Sequence, residues 1–234
     1  MPEQERVRRI LDILGRRYPH PKTLLHFNSP FQLLVAVILS AQTTDAQVNR
    51  ITERLFQVCR GPEDCLRLGQ AGLEEYIQGC GLYHNKARHI LAACQKLLED
   101  YGGQVPADRQ ALLSLPGVGK KSSAVILANA FGVPALAVDT HVFRVSHRLG
   151  LAKAPTPEAT ERELCQIIPQ ERWADAHHWL IYHGRNTCRA RNPECGRCPV
   201  AEWCPAAEMG VPVPAAGSGK KSAAASRRSA KRGE

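Results

Sequence analysis

Apolar residues recur at helical spacing along most of the 234-residue chain. Val7, Ile10, Leu11 and Leu14 fall on one face and predict a helix from about Glu3 to Arg17. Tyr18-Pro-His-Pro ends it, because proline lacks a donor and turns its predecessor away from helical geometry. Phe31 to Ala41 is apolar nearly all round and reads as a buried helix. Asp45 to Cys59 is amphipathic and stops before Gly61-Pro62. Helices are predicted next over 69–80, 86–101, 107–114 and 122–131, each followed by glycine or proline, with Gly132 where a left-handed cap is favoured. After Val133-Pro134 come 139–149, 157–168 and 172–182. No run alternates convincingly with the period of a strand. The pattern predicts an all-α fold.

Composition adds a partner. The hydrophobic and charged shares, 44% and 23%, are those of a globular chain. Thirty-one Lys and Arg against 22 Asp and Glu leave a net charge of +9, which fits either a polyanion such as nucleic acid or a merely basic surface. The longest apolar run is shorter than the roughly 17–25 residues that span a bilayer. The N-terminal residues lack the apolar stretch of a secretory signal, so a cytoplasmic protein is expected, nucleoid-associated if bacterial. Residues 205–234 are rich in Ala, Gly, Ser and Pro, carry six Lys or Arg and hold few large apolar side chains. They read as a flexible basic tail.

Nine cysteines divide unequally. Cys59, Cys80 and Cys94 fall in or beside helical apolar patterns, as small buried thiols do; Cys65 and Cys165 also stand singly. Cys188, Cys195, Cys198 and Cys204 lie within 17 residues. In a reducing compartment four thiols so close read as a metal site. Structural zinc usually takes paired C-x2-C knuckles, and only one is present, so the spacing favours an iron–sulfur cubane over zinc. Arg189 and Arg191 lie inside the first gap, where a loop pinned by metal would hold two cations toward phosphates.

Leu115-Pro-Gly-Val-Gly-Lys-Lys-Ser lies between two predicted helices. Gly117 and Gly119, around Val118, allow a tight hairpin whose backbone N–H groups open the next helix. Such a terminus can take an anion, which on a basic chain would be a DNA phosphate contacted without regard to sequence; the plain alternative is a helix–helix turn and nothing more. Lys120 and Lys121 stand where the helix dipole and each other disfavour the charged form. Either they hold phosphates as ammonium ions, or one is a nucleophile able to form a Schiff base. Asp139, just before an apolar helical pattern, is first an N-cap, yet a capping carboxylate can also face a cleft.

Together these residues closely resemble the endonuclease III family of helix–hairpin–helix DNA glycosylases. The resemblance rests on SAQTTD (40–45), GLYHNK (81–86), LPGVGKK (115–121), VDTHVFR (138–144), HHWLIYHGR (177–185) and the four cysteines. It implies a six-helix domain over residues 22–133, and a second, cluster-bearing domain built from 1–21 and 134–204, with DNA in the cleft between them. It implies excision of oxidised pyrimidines from duplex DNA followed by AP-lyase cleavage, with Lys121 as nucleophile and Asp139 as its acidic partner. Lys120 takes a position where basic residues are familiar. Leu82 matches a side chain that wedges into the base stack, and Gln42 one that enters the vacated space. Asp45 and His141 are candidates for the base pocket. His84 departs from the family's usual residue, so its contact with the opposite strand is expected to differ. The four cysteines would hold a [4Fe-4S] cluster that supports structure and DNA positioning. The expected partner is duplex DNA carrying oxidised pyrimidines or abasic sites, the expected state a monomer, with no membrane. An adenine DNA glycosylase is the nearest rival. That family typically has another residue in place of Lys121, and it carries a catalytic Glu on the helix that here reads Ala36-Val-Ile-Leu-Ser40.

Overall fold

The computed structural model describes residues 2–209. Those residues form helices and connecting turns, without a strand. The α-helices are α1 (Glu3–Arg17), α2 (Pro30–Ser40), α3 (Asp45–Val58), α4 (Pro62–Ile77), α5 (Tyr83–Tyr101), α6 (Arg109–Leu113), α7 (Lys120–Phe131), α8 (Thr140–Arg148), α9 (Pro157–Ile167), α10 (Trp173–Asn186) and α11 (Pro205–Met209). Short 3-10 turns precede α10 and fall within the cysteine cluster. The all-α expectation holds.

Several boundaries differ from the expectation: α5 and α7 begin earlier, at Tyr83 and Lys120, and α6 is shorter, Arg109–Leu113. The helix expected from Gly69 starts at Pro62, with Pro at its first turn and a break in helical geometry at Gly69 (φ 66°). The last long helix runs on from Tyr182 to Asn186. The basic tail was expected to begin at Pro205, but Pro205–Met209 is helical, and Ala206 and Ala207 pack on the core beside Cys204. Residues 210–234, the rest of that tail, lie outside the described residues. One pairing is also new: Cys59 and Cys65, both buried, form a disulfide across the α3–α4 turn, Cα atoms 5.1 Å apart.

Two apolar cores organise the molecule. In the first, α2 is the central rod: Ser29 caps it, Pro30 occupies its first turn, and eight of its 11 residues are buried. α3, α5 and α7 pack around it, and α4 lies along α3 and α5. In the second, α1 returns from the N-terminus to join α8, α9 and α10 through Val7, Ile10, Leu11 and Leu14. Arg6 fastens α1 there, donating to the carbonyls of Leu149 (2.7 Å), Gly150 (2.9 Å) and Trp203 (3.1 Å).

The extended link between the cores is shared residue by residue. Ala135 and Ala137 join the first core, Leu136 and Val138 the second. Successive side chains of extended backbone point to opposite sides, so this segment stitches the two bodies together and ends at Asp139. The alternation escaped the sequence reading because both faces are apolar.

Candidate active site

The hairpin after α6 is built from its buried ends. Leu115 and Val118 are inside, and the Val118 N–H donates to the Leu115 carbonyl (3.1 Å). Gly117 between them has φ +81°, and a Cβ there would come within 3.0 Å of His89 Cβ. Both facts demand glycine. Gly119 caps α7 without a side-chain hydrogen bond, and the space beside it is open. The first N–H groups of α7 therefore face outward, with the positive end of the helix dipole behind them.

Lys121, in the first turn of α7, is more than half exposed, and its Nζ lies 3.8 Å from Asp139 Oδ2. Asp139 is mostly buried. Its Oδ1 accepts from the N–H groups of His141 and Val142, both at 2.8 Å, and so caps α8. One carboxylate oxygen holds a helix and the other faces the lysine. Lys120 points elsewhere, to Glu158 at 3.7 Å.

Lys121 and Asp139 are on the wall of a cavity of about 260 Å³ shared with Gln42, Asp45, His177, His178 and Arg185. Asp45 pairs with Arg185 at 3.0 Å, joining the start of α3 to the end of α10. The histidine pair was not singled out from the sequence. A doublet of histidines in an apolar helical pattern was the available signal. His177 is buried, and one ring nitrogen meets the Ala137 carbonyl at 2.7 Å. Burial holds its pKa below the ordinary value, although Asp139 opposes this. His178 is pushed down to about 3, chiefly by burial and then by His177. Both rings are neutral walls.

The remaining expected residues, Gln42 apart, are not on the wall of this cavity. Gln42 takes a left-handed backbone (φ 56°), as does Leu82 (φ 60°), whose side chain is 62% exposed. His84 Nδ1 faces Glu74 Oε2 at 2.8 Å. His141 does not line the cavity; its Nδ1 meets the Arg144 guanidinium at 3.2 Å, and burial lowers its pKa. Arg189 pairs with Glu194 at 3.0 Å, and Arg191 is exposed on the same loop.

Comparison with known proteins decides the family. Residues 35–170 match the HhH-GPD superfamily base excision DNA repair proteins, and residues 188–204 match the iron–sulfur binding domain of endonuclease III. The endonuclease III of Rickettsia conorii is 51% identical over 198 residues, 85% of this chain and 94% of that protein. The chain belongs to the endonuclease III family. The endonuclease III of Escherichia coli K12 is 49% identical over 195 residues, 83% of this chain and 92% of that one. A solved structure of a trapped endonuclease III–DNA covalent intermediate aligns with a TM-score of 0.84 at 44% identity, covering 89% of this chain and 99% of that one.

Endonuclease III proteins take a [4Fe-4S] cluster, and this chain has a place suited to it. Cys188, Cys195, Cys198 and Cys204 line one cavity of about 550 Å³. A polynuclear cluster takes one thiolate per iron, and four thiols border this one cavity. Two buried arginines missed in the sequence shape the loop. Arg148 donates to the carbonyls of Arg189 (2.6 Å) and Ala190 (3.1 Å), and Arg144 Nη2 to that of Cys188 (3.2 Å). The Cys198 thiol is pushed up to about 11 by burial and by its three neighbours, a shift that bound iron would reverse.

Proposed function

We infer that the protein is a bifunctional DNA glycosylase and AP lyase of base excision repair, acting on oxidised pyrimidines in duplex DNA. The observation that carries this reading is Lys121 Nζ at 3.8 Å from Asp139 Oδ2 on a cavity wall between two helix N-termini. A base inside a duplex is out of reach of any side chain, so the damaged nucleotide must turn out of the stack into that cavity. Attack by the free amine of Lys121 forms the N–C1′ bond as the glycosidic bond breaks, and the base leaves with the electron pair. Opening of the sugar ring gives a Schiff base, and removal of a C2′ proton then expels the 3′ phosphate. Asp139 Oδ2 serves as proton acceptor for the amine and as a fixed negative charge opposite the cationic sugar.

The remaining assignments follow from the same reading. Backbone N–H groups of Gly117–Lys121 take a phosphate of the damaged strand, with the Lys120 ammonium beside them. Leu82 is the apolar wedge, Gln42 fills the gap, and Asp45 borders the base pocket. Arg189 and Arg191 meet phosphates from the cysteine loop, and His84 faces the opposite strand. Cys188, Cys195, Cys198 and Cys204 hold the cluster, which supplies rigidity to that loop when bound. Residues 22–133 act as one domain and 1–21 with 134–204 as the other, so the enzyme works as a monomer, on the nucleoid in a bacterial cell.

Asp139→Asn separates the two jobs of that side chain. Asparagine caps a helix as well as aspartate does, so α8 should stay intact. Incision of a duplex with one oxidised pyrimidine should fall about a hundredfold or more with the charge gone. Unchanged incision would remove Asp139 from the mechanism.

A further inference from the structure

Among the described residues, three that are not glycine have left-handed backbone: Gln42, Leu82 and Asn192. Such geometry is strained for a side chain larger than glycine's and persists only where its surroundings impose it. Gln42 and Leu82 occupy separate loops, after α2 and before α5. Lys86 joins them. Its backbone N–H donates to the Leu82 carbonyl (3.1 Å). Its ammonium donates to the Leu39 carbonyl and to Thr43 Oγ1, both at 2.8 Å. Leu39 and Thr43 bracket Gln42 on either side.

Lys86 is only 4% exposed, and no carboxylate pairs with it among the described residues. Burial holds its pKa below that of a free lysine. An ammonium without a counter-charge is an unfavourable way to fill a core position that methionine would fill well. What the ammonium does that methionine cannot is bind the last turn of α2 and the loop after it from the helix that follows the Leu82 turn. The Cys80 thiol, also buried, borders the same cluster through the Thr43 hydroxyl.

We propose that Lys86 is the positioning residue that fixes the Gln42 loop against the Leu82 loop, so that both side chains enter the opened duplex together. This rests on the reading of Gln42 and Leu82 as the residues that enter the stack. Lys86 touches no reacting atom. Its loss acts on opening of the duplex and leaves Schiff-base chemistry alone.

The test uses the full-length, cluster-loaded protein and two substrates. One is a duplex with a single thymine glycol and 2-aminopurine in the opposite strand, whose fluorescence reports unstacking. The other is a single-stranded abasic oligonucleotide, which has no stack to open. Lys86→Met should lose about tenfold in kcat on the duplex with a weaker 2-aminopurine signal, and stay within about twofold on the single strand. Duplex activity within about twofold of wild type, or equal losses on both substrates, would overturn the proposal. Thr43→Val removes one of the two ammonium bonds without emptying the core. It should shift the same ratio in the same direction by less, and it decides the matter if Lys86→Met does not fold. Gln42→Ala and Leu82→Ala are run alongside. If they leave the duplex-to-single-strand ratio unchanged, the wedge reading fails. If they change it and the Lys86 and Thr43 variants do not, only the role of Lys86 fails.

Discussion

Asp139 shows how one side chain can cap a helix and still face a cavity, because its two oxygens are spent separately. Oδ1 completes α8 through the N–H groups of His141 and Val142, and Oδ2 is left for Lys121. The sequence permitted both roles and could not rank them, since capping is a local pattern and the approach of α7 is not. His177 and His178 open one of the stretches that carry the family resemblance, but their place was not legible for the same reason: only the packing of α10 against the linker brings them to the cavity. His178 carries a consequence for stability. Its pKa is held near 3 in the fold, against about 6.5 in an unfolded chain. Between those values the unfolded state binds a proton that the folded state refuses. Stability is therefore full above about pH 6.5 and lost as pH falls toward about 3, at up to about 1.4 kcal/mol per unit for this group. Chemical denaturation at about pH 7 and about pH 5 should show the drop, and His178→Gln should make it shallower. An equal slope in wild type and variant would contradict this account of His178.

At the scale of elements, the helix N-termini sort into two kinds. Those of α2, α3, α6, α8 and α9 are closed by Ser29, Thr44, Asp108, Asp139 and Thr156. Those of α1, α4, α5, α7 and α10 start at Pro2, Gly61, Leu82, Gly119 and Arg172 without a side-chain cap. Of the first set only Asp139 was read as a cap from the sequence; apolar periodicity marked the other helices. In the second set Gly61 and Gly119 were legible as turn residues, and α5 begins earlier than expected because Leu82 turns the chain with a left-handed backbone. The hairpin before α7 depends on one such residue. Gly117→Ala would place a methyl 3.0 Å from His89 at positive φ, a loss of about 1–2 kcal/mol or more. Thermal unfolding should register it, together with weaker binding to undamaged duplex DNA. Binding unchanged in a folded variant would remove the hairpin from the DNA contact.

The whole molecule is two cores joined through four linker residues, and the sequence revealed the parts better than the join. Periodicity marked the helices, but α1 is separated from α10 by more than 150 residues, and only the family resemblance anticipated their packing. The cysteine spacing announced a cluster, yet the arginines that hold its loop looked like ordinary helix charges. A difference in stability between the cores is measurable because Trp173, Trp179 and Trp203, the chain's three tryptophans, all belong to the second. Cys198→Ala should lose the brown iron–sulfur absorbance and unfold by tryptophan fluorescence at lower denaturant, since metal binding and folding are coupled. Far-ultraviolet circular dichroism should retain a later transition from the first core. Full iron content with an unchanged fluorescence midpoint would count against the four-cysteine assignment.

The central claim concerns Lys121, and borohydride trapping tests it most directly. A duplex with one thymine glycol is incubated with wild type or Lys121→Gln, and the Schiff base is reduced in place. A covalent protein–DNA adduct with wild type alone is the expected result. It would fix the nucleophile, the intermediate and the oxidised-pyrimidine substrate together. An adduct formed equally by Lys121→Gln, or none with wild type on either this duplex or an abasic one, would contradict the account.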